Sequence, residues 1–61
     1  MHWSEDPELC DWLLNIDKMR AGDFLRALAR AAMQADFDNY ALLRPVLLQM
    51  KVKYPRYEGH A

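Results

Sequence analysis

Few side chains in this sequence are of the types that carry out chemistry, and their spacing keeps them apart. Cys10 is the single thiol, and His2 and His60 stand near opposite ends of the chain. A cysteine nucleophile needs a base within hydrogen-bond reach. Neither histidine falls within an expected helix, so Cys10 reads as a buried thiol that packs as a small apolar group. The same three residues make a poor zinc site, because zinc takes four ligands, usually in closely spaced pairs. Asp6, Glu8 and Asp11 form the densest group of carboxylates. They lie where a helix should begin and complement the positive end of its dipole, so they are expected to be solvated and not to act as an acid–base pair. No glycine-rich phosphate loop is present, nor any ligand pair at i, i+4. These residues point to a protein that is not an enzyme and takes no metal or cofactor.

The elements that hold these side chains are expected to be helices. Two glycines and three prolines interrupt the 61 residues, and no stretch alternates as a strand would. The spacing predicts an all-α, three-helix bundle with helices at about 6–18, 23–35 and 39–54. Ser4 or Asp6 would cap the first, with Pro7 in its first turn and Leu9, Trp12, Leu13 and Ile16 as its stripe. Gly22 would break it from the second, capped by Asp23 or started a turn or more earlier at Asp17, with an inward sector of Phe24, Leu25, Leu28, Ala31, Ala32 and Ala35. A turn at 36–39 would precede the third helix, which Pro45 should kink or break and Pro55 should end. From Arg56 to Ala61 the chain is polar and is expected to fray.

Residues 1–61 hold one domain, at a size where burial and the entropy of ordering the chain nearly cancel. A single cysteine excludes an internal disulfide, so helix packing or association must supply the balance. The composition, 52% hydrophobic and 28% charged, is that of a globular protein. No apolar run approaches a membrane span, and the first residues are acidic where a secretory signal would be basic, so a cytoplasmic protein is expected.

The most informative feature is the third helix. Leu43, Val46, Leu47, Met50 and Tyr54 define one apolar face, while Ala41, Leu48 and Val52 define a second. A helix of a small bundle needs one stripe, so the second face reads as a surface for a partner or for another copy of the chain. The alternative is that this helix lies centrally, or that Pro45 re-phases its halves onto one core. Trp3, outside any expected helix, and Tyr57 complete the candidate interface. Charge is segregated: residues 1–17 hold five acidic and no basic side chains, and residues 18–35 four basic and one acidic. Such segregation favours self-complementary packing.

A competing reading assigns nucleic-acid contacts to Arg26, Arg30, Lys51, Lys53 and Arg56, with the second helix in a helix-turn-helix. The pI of about 6.0 is low for such a protein, and that helix offers few side chains able to read base edges.

From Gly22 onward, the string GDFLRALARAAMQADFDNYALLRPVLLQMKVKYP resembles short accessory proteins of bacteriophage and prophage genomes. Its most distinctive part is Ala35, Asp36, Asn39, Tyr40, Leu43, Arg44 and Pro45. The resemblance implies a protein that binds and modulates a host protein, and it assigns no residue a role. The same stretch is similar to the helix-end turn of tetratricopeptide repeats, but the tryptophan-leucine-glycine start of that repeat is missing. The leading expectation is therefore a dimeric, non-enzymatic interaction module with a protein partner. A small dimeric DNA-binding regulator comes second, and a structural component of a virion or other assembly third.

Overall fold

Local hydrogen bonds explain where each helix starts and stops. The structure, a computed structural model, describes residues 1–57. Among them are three α-helices, α1 (Cys10–Lys18), α2 (Asp23–Gln34) and α3 (Phe37–Lys53), with 3₁₀ turns at Trp3–Glu5 and Pro55–Tyr57. The chain is thus an all-α three-helix bundle. No helix of the described residues is long and apolar enough to cross a membrane.

The first helix begins later than its sequence indicates. The Asp6 carbonyl accepts from the Leu9 and Cys10 N–H groups, and its side chain accepts from the Glu8 N–H. Asp6 therefore holds a turn over Pro7 to Leu9, and regular helix starts only at Cys10. Beyond α1, the chain closes without glycine. Arg20 takes a left-handed φ of 53° and its N–H reaches back to the Asp17 carbonyl, while the Ala21 N–H reaches Ile16. This is the paired-bond helix terminus that normally carries glycine at the left-handed position. Gly22 instead precedes α2 as its N-cap, with Asp23 as the first helical residue; a Cβ at Gly22 would meet nothing within 4 Å.

The third helix starts earlier than expected and does not break. Asp36 accepts from the Asn39 N–H at 2.8 Å, which fixes the start at Phe37, and the helix runs through Pro45 to Lys53. Pro45 has no N–H to offer the Ala41 carbonyl. Both residues are exposed, so water can solvate that carbonyl and the helix continues.

The backbones of α1 and α2 approach closely, across Ala21, Ala29 and Ala32, all buried. Leu25 joins this seam, but Phe24 and Ala31, expected to face inward, point to solvent, with Phe24 60% exposed. The α3 backbone stands further off, and large side chains fill the gap: Trp12, Leu13 and Ile16 from α1 meet Tyr40 and Leu47 in one core. The C-terminal turn is docked. The Trp12 indole donates to the Tyr54 carbonyl at 3.0 Å, the Asn15 amide to the Tyr57 carbonyl at 3.4 Å, and the Tyr57 side chain is buried. Fraying does not extend to Arg56 and Tyr57, then, and the rest of the expected tail lies outside the described residues.

Holding Arg20 left-handed costs about 1 kcal/mol. Arg20→Gly is expected to stabilise the fold by about that amount, raising Tm by roughly 4–8 °C in a domain of this size. A thermal melt showing no rise would mean that the Arg20 side chain compensates for its own backbone.

Candidate functional site

Asp6 is the only fully buried carboxylate among the described residues, and the buried Tyr40 hydroxyl and the Arg44 guanidinium converge on it. The turn over Pro7 aims its carboxylate at α3, where Tyr40 and Arg44 lie one helical turn apart on the inward face. The Tyr40 hydroxyl donates to Asp6 Oδ2 at 2.8 Å. Arg44 Nε donates to the same oxygen at 2.7 Å and Nη2 to Oδ1 at 3.2 Å, a bidentate pairing. Arg44 Nη2 also bonds Glu8 Oε1 at 2.7 Å, and the Lys51 ammonium donates to the Glu8 carbonyl. Asp6, expected to be solvated, is thus a buried partner of α3, while Glu8 and Asp11 are exposed as expected and Glu8 reaches Arg44 from the surface; a helix whose backbone stands off the core needs long polar side chains to reach it.

These bonds tune the titrating groups. The Arg44 guanidinium holds the Asp6 carboxyl below the usual carboxylate range, outweighing the opposing effect of burial, and Tyr40 and the Glu8 N–H act in the same direction. Burial, then the bond to Asp6, pushes the Tyr40 phenol upward. Arg44 is raised by the two carboxylates it touches. The carboxylate faces no solvent and each of its oxygens is already engaged, so the cluster is built to join segments and leaves no reactive group for a substrate. Cys10 is half-buried, and among the described residues no three His, Cys, Asp or Glu side chains gather as a metal ion would need.

The residues singled out for nucleic acid do not act together. Arg26 and Arg30 are exposed on α2, where they line two shallow concavities of about 240 and 220 Å³ shared with Asp17 and Asp23. Lys51 is half-buried and engaged with Glu8. Lys53 and Arg56 are exposed and lie over the neighbouring rings of Tyr54 and Tyr57.

The surface that stands out is the outward side of α3. Of the candidate interface residues, Ala41 and Val52 are exposed there, Val52 by 81%, and Leu48 lies at its edge, half-buried. Trp3 is half-buried against the core, and Tyr57 is inside it. The reason is shared: the N-terminal turn folds back over α1 and α2, the C-terminal turn over α1 and α3, and each lays its aromatic against the core. The structure adds two residues to the face. Leu42 is 75% exposed, and Val46, expected in the core, is 43% exposed. With Pro45 and Gln49 they make one continuous outward face, which neither α1 nor α2 covers. Helical phase alone could have found Leu42, since a helix with Tyr40, Leu43 and Leu47 inward must turn residue 42 outward.

No family model matches this chain, and no curated protein or solved structure matches it. The fold and surface define a class: a small all-α three-helix bundle with one uncovered apolar helix face.

Because the folded Asp6 carboxyl releases its proton more readily than the unfolded one, its stabilisation is complete above the unfolded value of about 3.9 and is lost as pH falls through the folded value. Denaturant titrations should show stability flat from about pH 5 to neutrality and falling below about pH 4. Asp6→Ala is expected to cost about 2 kcal/mol at neutral pH, since it strands the Tyr40 hydroxyl while Arg44 keeps Glu8 and partial access to water. Asp6→Asn should flatten the acid limb, and an unchanged limb would assign it to another carboxylate.

Proposed function

We propose that this chain is a non-enzymatic helical interaction module that binds protein through the outward face of α3, self-associates, and serves a phage or other mobile element by engaging a host protein. The observation that carries this reading is the uncovered face itself. Small soluble domains rarely keep contiguous apolar surface unless it meets something, and here Leu42, Val46 and Val52 stand in solvent along one helix while the chain is short of buried area. The closed Asp6 cluster supports a role without catalysis, and the likeness of residues 22–55 to phage and prophage accessory proteins supports the biological setting.

A second reading, a dimeric DNA-binding regulator, draws on Arg26 and Arg30, which make no ion pair among the described residues and sit on the exposed side of α2. Ala27 and Ala31 beside them offer no group to a base edge, and Lys51 is committed to Glu8.

Affinity capture from a bacterial extract, with native and Leu42→Glu chains as bait, separates the two. Leu42 is mostly exposed, so the substitution should change stability by no more than about 0.5 kcal/mol. The interaction reading expects the captured protein to vanish with Leu42→Glu and to tolerate a rise in salt. Retention that instead depends on Arg26 and Arg30 and falls steeply with salt would establish nucleic-acid binding in its place.

A further inference from the structure

The charges at the two ends of the α3 face identify what covers it, and the inference rests on that face being an interaction surface. Asp38 lies in the first turn of α3, Lys53 is its last residue, and both are exposed. At 100° per residue, Asp38, Leu42, Val46, Gln49, Val52 and Lys53 fall within one outward sector. The acid and the base stand equally far, about 11 Å, on either side of the midpoint between Pro45 and Val46. The face is therefore acidic at one end, basic at the other and apolar between: it is complementary to itself turned end for end.

We propose that a second copy of this chain covers the face, its α3 lying antiparallel across the first on a two-fold axis that passes between Pro45 and Val46. Each Asp38 then meets the partner's Lys53, so the pair forms twice. Pro45 and Val46 of the two copies pack against one another at the axis, and each Leu42 lies over the partner's Gln49. The Ala41 carbonyl, which Pro45 leaves without its helical donor, comes within a turn of the partner's Gln49 amide, a donor that can satisfy it. Antiparallel helix dipoles add to the fit. A parallel pairing would instead set Asp38 against Asp38 and Lys53 against Lys53, and a foreign partner would gain nothing from the symmetry of the pattern.

The test is sedimentation equilibrium on the full chain over a concentration series, with circular dichroism confirming that each variant stays helical. The native chain should be a dimer, and Leu42→Glu and Val46→Glu should each be monomeric. Asp38→Lys and Lys53→Glu, each turning two attractions into two repulsions, should weaken the dimer roughly tenfold. Mixed in equal amounts, these two variants should regain affinity as a heterodimer, because every pairing is then between opposite charges; this arm needs no doubly substituted chain to fold. A native chain that stays monomeric at millimolar concentration, a dimer indifferent to Leu42→Glu, or a mixture no tighter than its components would each overturn the proposal. A monomeric native chain whose capture of a bacterial protein still depends on Leu42 would overturn the second copy alone and leave the interaction reading in place.

Discussion

The carboxylate of Asp6 is the constraint on which the rest of this bundle depends. A charge that faces no water must be matched by donors, and here they come from its own turn, from Tyr40 and from Arg44. Because the α3 backbone stands off α1 and α2, its rotation about its own axis is fixed by the side chains that bridge the gap, Tyr40 and Leu47 among them. The Asp6 bonds add a directional constraint to that packing. With Tyr40 and Arg44 turned inward, Leu47 and Lys51 must follow, and Leu42, Val46, Gln49 and Val52 are obliged to point outward. The orientation of the surface assigned to binding is thus tied to a half-buried ion pair and to core packing on the opposite side of the same helix.

The two halves of the bundle are built differently. Between α1 and α2, alanines allow a close seam that needs little side-chain ordering; between this pair and α3, tryptophan and tyrosine fill a wider gap and bring their polar ends with them. The second arrangement is more demanding, because each ring must also satisfy a donor. The Trp12 N–H finds the carbonyl that ends α3, and the Tyr40 hydroxyl finds Asp6. Chains of this length have little stability to spare, and the left-handed Arg20 shows that it has not been maximised at every position.

Helix number and the inward stripe of α1 were legible in the sequence, since each rests on local spacing; of the expected second face of α3, Ala41 and Val52 are exposed, while Leu48 packs against the core and Leu42 and Val46 point outward in its place. The misread parts have physical causes. Asp36 looked like one member of a polar turn, and only its bond to the Asn39 N–H shows it to be the cap that makes Phe37 helical. Of the kink or break expected at Pro45, the break is absent, because the cost of a proline depends on whether the stranded carbonyl can reach water, which is a property of the surface and not of the segment. Asp6 looked solvated because its partners lie more than thirty residues away; the available sign was a Tyr40–Arg44 pair on an otherwise apolar face, which required an acid from elsewhere. Trp3 and Tyr57 looked like surface anchors because no periodicity governs turns that fold back over a core.

The bond from Trp12 to the Tyr54 carbonyl, with its neighbour from Asn15 to Tyr57, also has a kinetic meaning. Each joins residues 42 positions apart, whereas α1 and α2 meet across a short connection that closes quickly. The hairpin of α1 and α2 can therefore assemble early, but Trp12 stays wet until the last turn of the chain arrives to cover it. The return of that turn closes one of the longest loops in the fold, and the indole of Trp12 sits where its fluorescence would report that closure.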